Sequence, residues 1–157
     1  MVVSETLRKH PPLGFLDRVA STDYKVPNSD LVIEKGTPVY ISMTGMHYDP
    51  EYFPEPEKFD PMRFSDEVKK TRPAYTYFPF GEGPHICIGT IIYYRTIMYS
   101  VSGLRLGLMQ SKLGLIQILS KYEVSPCKET TIPLALNPKA IFTTSLDDIP
   151  LHVRKIN

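Results

Sequence analysis

At 157 residues the chain is one domain's worth of sequence, long enough to bury a core, and 42% apolar against 22% charged residues reads as soluble and globular. A formal net charge of +1 with no run of like charges gives no electrostatic reason to expect nucleic acid, and no membrane-surface tail. The longest apolar runs are broken by Arg95, Arg105 and Lys112, short of the roughly 18 residues of a membrane span, and MVVSETLRKH places charge where the apolar core of a secretory signal would follow.

In chain order, VVSETLRK reads as a helix entered without a lead-in, and Pro11 with Pro12 stops it. Fifteen prolines are roughly twice the usual share, and 11 of them fall between Pro11 and Pro84, so this stretch is read as extended chain, turns and short strands. Strands are predicted at 24–26, 31–34 and 38–43, with NSD and KG as turns, giving a small antiparallel sheet. From His47 to Phe64, aromatics alternate with prolines, which suits a meandering loop pinned by buried rings. Beyond a glycine-rich loop, residues 104–121 carry Leu108, Leu115 and Leu119 on one stripe with Met109, Leu113 and Ile116 beside it, predicting a buried helix. The tail is read as short strands at 131–136, 139–145 and 151–156.

Chemistry concentrates in the glycine-rich loop. The two cysteines, Cys87 and Cys127, are too far apart in sequence for a disulfide framework, so a reduced compartment is the default and either thiol is free for ligation or packing. Phe80, Gly81, Gly83, Pro84, Cys87 and Gly89 combine an aromatic ring, a thiol and glycines that let backbone approach a flat ligand. With no CxxC partner, Cys87 does not suit zinc or an iron–sulfur cluster; haem iron takes a single axial thiolate. The same residues also describe an unreactive buried cysteine beside a tight turn. Glu5 and Arg8, at i and i+3, share a helical face, and Arg63 in FDPMRF could add a second fork to Glu5.

Taken together and in this order, ETLR, HYDPEYFPEPEKFDP, FDPMRF and PFGEGPHICIG resemble the cytochrome P450 superfamily, in particular its microsomal foreign-compound monooxygenases. The resemblance is strong from Met1 to about Leu119 and looser in the tail. It implies an α+β chain, residues 1–157 forming the C-terminal portion of the mainly helical cytochrome P450 fold, with small antiparallel sheets and the haem-thiolate loop. It also implies that Cys87 is the proximal haem ligand and catalytic thiolate, that Phe80 packs against the proximal haem face, and that Gly81, Gly83 and Gly89 shape the loop. Glu5, Arg8 and Arg63 resemble the family's structural ion triad, which is not catalytic. Arg18 in FLDRVA matches a haem-propionate contact, although a surface arginine has the same appearance. The parent activity would be insertion of one oxygen atom from O2 into a lipophilic substrate, with electrons from NADPH through a reductase, on the cytoplasmic face of the endoplasmic reticulum membrane. Lys69, Lys70 and Arg72 are either part of the basic face that docks the reductase or a solvated charge cluster.

Three departures from the pattern stand out. His85 occupies the place where the family most often has an arginine reaching a propionate; a neutral imidazole still donates one hydrogen bond but lacks the fixed charge. Residues 90–103, TIIYYRTIMYSVSG, separate CIG from LRLGLMQ, and removing them restores a family-like CIGLRLGLMQ. That run, with six β-branched residues and neither Glu nor Lys, is a poor exposed helix and reads as translated intron or an error of gene delineation, the rival being a real loop that delays the helix. Finally, the chain is about a third of a usual family member. The membrane anchor, the long helix with the oxygen-handling acid–alcohol pair, and most of the substrate pocket are expected to lie outside it, so substrate-facing positions would be confined to the neighbourhood of Phe142–Ser145. The rival expectation is a non-catalytic, truncated or mis-spliced product that folds poorly or binds haem without turnover; a third keeps haem for isomerase or dehydratase chemistry.

Overall fold

The computed structural model describes residues 1–83 and 104–156. The chain is α+β, with short helices and three two-stranded antiparallel sheets among the described residues. It divides into two compact units, Val3–Pro79 with Met1 and Phe80–Asn157 with Val2.

Prolines break the first unit into short pieces. Helix α1, Val2–Lys9, stops before Pro11, and His10 has already left helical dihedrals with φ −132° and ψ 67°. Strand β1, Phe15–Val19, pairs with β4, Pro38–Ser42, in the register Phe15↔Ser42 to Val19↔Pro38. Between them β2, Tyr24–Lys25, faces β3, Val32–Ile33. The turn joining them holds Asn28 at φ 59°, a region asparagine tolerates. The strands expected at 24–26, 31–34 and 38–43 are thus present but shorter, and they lie in two sheets rather than one. Strand β1 was not expected, because its half-buried face carries Leu16 and Arg18, and the arginine masks the apolar alternation.

Helix α2, Met43–His47, follows β4 directly, with the Ser42 hydroxyl accepting the Gly45 N–H at 3.0 Å as its N-cap. Turns then lead to a 3-10 helix, Pro61–Phe64, and to α3, Asp66–Thr71, capped by Ser65. Two rings of the meander are fully buried, Phe53 and Phe64, while Phe59 stays exposed. With Met43 and Phe78 they are the buried apolar side chains of the first unit, and Glu5, Arg8, His47 and Thr76 are buried as well, so its interior is as polar as it is apolar.

In the second unit α4, Leu104–Leu119, is followed by β5, Tyr122–Pro126, which pairs with β6, Leu151–Lys155, from Tyr122↔Lys155 to Pro126↔Leu151. Glu123 and Arg154 pair across the two strands. Two expectations fail here. The runs 131–136 and 139–145 are not strands but are joined by a single bridge, Leu136↔Ser145, because Pro133 and Pro138 supply no N–H and residues 137–140 turn. The helix predicted as buried is exposed: Met109, Leu113, Ile116 and Leu119 each keep more than half of their surface open. Periodicity marks a face suited to burial, whereas burial needs a partner, and among the described residues α4 packs against β5, which cannot cover it.

Candidate functional site

The densest polar arrangement is built on α1. Its inward face is charged, since the i, i+3 spacing stacks Glu5 below Arg8 and both side chains are fully buried. Arg8 forms a two-pronged pair with Glu5, Nε to Oε2 at 2.8 Å and an Nη to Oε1 at 2.9 Å. Its remaining donors reach the carbonyls of His47 at 2.8 Å and Pro56 at 2.7 Å. The guanidinium also lies 5.3 Å from the Tyr48 ring centre and 5.4 Å from that of Phe53. Burying this charge is tolerable only because nearly every donor is satisfied.

FDPMRF brings the third charged group in by local rules. Asp60 caps the 3-10 helix by accepting the Met62 N–H at 3.0 Å, Pro61 takes the position that needs no donor, and the Asp60 N–H itself donates to Glu5 Oε1 at 2.9 Å. One turn on, Arg63 Nε stands 3.6 Å from Glu5 Oε1 while an Nη donates to the Glu55 carbonyl at 2.9 Å. The structure therefore gathers Glu5, Arg8 and Arg63 around one carboxylate.

His47, which carries no motif signal, sits at the centre of the same interior. Its ring stacks on Tyr77 at 5.3 Å and meets Phe53 and Phe78 edge-on. Nε2 accepts the Phe78 N–H at 3.2 Å, and Nδ1 makes no hydrogen bond of good geometry among the described residues. Burial, with Arg8 and Arg72 nearby adding repulsion, pushes its pKa down to about 4, although a backbone hydrogen bond between the ring and Arg8 acts the other way. Tyr77 next to it donates its hydroxyl to the Ser4 carbonyl at 3.0 Å, and burial raises that hydroxyl to about 12. Replacing Tyr77 by Phe should cost about 1 kcal/mol, the net worth of one hydrogen bond, read as a lowered urea midpoint with an unchanged slope.

Of the basic trio at 69–72, Arg72 is not available to a docking face. Its guanidinium lies between the Phe53 and Phe64 rings, 4.7 and 4.6 Å from their centres, and donates to the Arg63 carbonyl. Lys69 is exposed beside Asp66, as a solvated pair would be. Arg18 lies on the half-buried face of β1, its guanidinium on the Asp17 carbonyl at 2.6 Å. Cys127 is partly buried, its Sγ 3.4 Å from both the Pro150 carbonyl and Thr130 Oγ1, a packing environment. Among the described residues no three His, Cys, Asp or Glu side chains gather as a metal site, and no helix is long and apolar enough to cross a membrane.

In the glycine-rich loop, Phe80, Gly81 and Gly83 are described; His85, Cys87 and Gly89 lie outside the described residues, as do 90–103. Gly81 has φ 76° and Gly83 φ 80°, the left-handed region that strains any residue with a Cβ. A Cβ on Gly83 would meet nothing within 4 Å among the described residues, and its positive φ alone accounts for a glycine here.

A family model described as Cytochrome P450 matches residues 1–98, spanning α1, the meander, Arg63 and the loop. The chain belongs to the cytochrome P450 family. It is 52% identical over 151 residues to Cytochrome P450 6k1 of Blattella germanica, covering 96% of this chain and 26% of that protein. Cytochrome P450 6j1 of the same insect is 47% identical over 157 residues, 100% of this chain and 28% of that protein. Probable cytochrome P450 6a14 of Drosophila melanogaster is 43% identical over 155 residues, 99% and 28%. The chain thus spans little more than a quarter of the cytochrome P450 relatives it matches. A haem of the kind cytochrome P450 proteins hold needs a flat approach to backbone beside an aromatic ring. The Phe80–Gly83 segment fits that need through its ring and its two positive-φ glycines.

Proposed function

We propose that this chain carries the haem-thiolate portion of a monooxygenase, with Cys87 as axial ligand. The observation that carries the reading is the family match over residues 1–98, which contain the ordered motifs around Glu5, Arg8, Arg63 and Cys87. Phe80 would lie against the proximal face and limit solvent at the sulfur, and Gly81, Gly83 and Gly89 would bring backbone N–H groups towards it. His85 would give one hydrogen bond to a propionate where an arginine would give a charged fork, and Arg18 would supply charge to the other. Glu5, Arg8 and Arg63 hold the meander on α1 and touch no reacting atom. When bound, haem supplies the oxygen chemistry: one atom of O2 enters a lipophilic substrate and the other leaves as water. In the full-length protein electrons would come from NADPH through a reductase, at the endoplasmic reticulum membrane to which an N-terminal anchor would attach it.

The exposed apolar surface of α4 favours a second reading for the isolated chain, in which it binds haem without turnover or folds incompletely. Residues 90–103, an insertion on this reading of the sequence, begin three positions after Cys87. The deciding experiment is a reduced, carbon monoxide difference spectrum of the haem-loaded chain, of Cys87→Ala, and of a variant lacking 90–103. Thiolate ligation gives a strongly red-shifted Soret band in the unmodified chain, lost in Cys87→Ala and strengthened by the deletion. If the chain and the deletion variant both bind haem without that band, Cys87 is not the ligand and the proposal fails.

A further inference from the structure

The last residues before the loop, 76–79, belong to no strand or helix, and Pro79 supplies no N–H. Phe78 is 7% exposed, and its N–H is met by a side chain, His47 Nε2. Tyr77 is held by the Ser4 carbonyl and stacked on the same imidazole. His47 in turn is fixed through its own carbonyl by Arg8. We infer that His47 is a positioning residue, a proton-sensitive latch that joins the Arg8–Glu5 hub to the start of the cysteine loop through the Phe78 amide.

Three observations separate this from a histidine that merely fills the core. A fully buried imidazole whose Nδ1 makes no hydrogen bond of good geometry among the described residues is costly, and a ring without nitrogen would fill the space more cheaply. What the imidazole adds is the acceptor at Nε2 for an amide that would otherwise be buried unmatched. Accepting at Nε2 requires that nitrogen to be unprotonated, and protonation would turn the acceptor into a donor facing a donor. Around the ring the charged and titratable neighbours are Arg8 of α1, Arg72 after α3 and Tyr77, with Glu5 already committed to Arg8. No charged neighbour among the described residues favours an imidazolium, and the one contact that does, with the Arg8 backbone, is outweighed by burial, so protonation ends in release of the Phe78 amide. The relevance to the cysteine loop rests on the thiolate reading above; the latch itself does not.

The test is amide hydrogen exchange at Phe78 in the haem-free chain as a function of pH, each rate divided by its intrinsic value. In the unmodified chain protection should fall by about tenfold or more on acidification, the loss of one hydrogen bond, before α1 amides respond. His47→Gln, whose amide oxygen reaches the place of Nε2 and does not titrate, should keep protection at every pH. His47→Phe should lose it at neutral pH while the α1 amides stay protected. Equal pH dependence in the unmodified chain and in His47→Gln overturns the latch, even should His47→Phe fail to fold. A haem-loaded comparison separates the two proposals. Should no protein, the unmodified one included, show the thiolate band, the function reading falls and the exchange result stands by itself. Should the band appear with identical position and acid stability in unmodified and His47→Gln protein, the latch does not reach the loop.

Discussion

Glu5→Ala should destabilise the first unit by about 3–5 kcal/mol, the cost of stranding one member of a buried ion pair. Arg8 would keep its carbonyl partners but lose both bonds to carboxylate oxygen, with no exposure to water to compensate. Asp60 and Arg63 would lose their anchor together, loosening the meander. Many buried pairs can be replaced on both sides by apolar groups at little cost. Here the double variant Glu5→Leu with Arg8→Met should remain destabilised, because the His47 and Pro56 carbonyls and the Asp60 N–H would all be left unmatched. Urea unfolding followed by far-ultraviolet circular dichroism measures both, and a Glu5→Ala unfolding free energy within about 1 kcal/mol of that of the unmodified chain would contradict the hub as described.

Acid should destabilise the same unit through His47. Its folded pKa of about 4 lies below the unfolded value of 6.5, so between those values the unfolded chain binds more protons than the folded one. Stability from this group is therefore fully present above about pH 6.5, falls as pH drops through the window, and levels off below about 4. A full shift of that size corresponds to on the order of 3 kcal/mol. His10, lowered by burial and by Lys9 and Arg8, contributes in the same direction. The check is the difference between unmodified and His47→Gln stabilities across pH 4 to 7, which cancels the carboxylates common to both. A flat difference would mean that His47 is not held neutral by the fold.

The parts of this fold that local chemistry determines were legible in the sequence. The ending of α1 at Pro11, the i, i+3 placement of Glu5 and Arg8, the turns at NSD and the burial of Phe53 and Phe64 all follow from residues a few positions apart. What the sequence concealed depends on partners distant along the chain. Phe78 lies 31 residues from His47, and no spacing rule announces an imidazole as the acceptor for a backbone amide. Arg72 looked like surface charge because a sandwich between Phe53 and Phe64 exists only after the meander has folded. Strand β1 owes its pairing to β4, and its own pattern carries an arginine where an apolar residue would have betrayed it. For α4 the apolar stripe was read correctly and the burial wrongly, since a stripe says nothing about whether its cover is supplied by the described residues.

The reach of Arg8 also bears on the order of events during folding. Its contacts outside α1 close segments of 39 and 48 residues, to His47 and Pro56. Such closures carry their entropic cost before any bond forms, so this junction belongs to the late side of the folding barrier. Damage to it should leave the refolding rate nearly unchanged and quicken unfolding, which makes Arg8 a determinant of how long the folded unit persists more than of how fast it is reached.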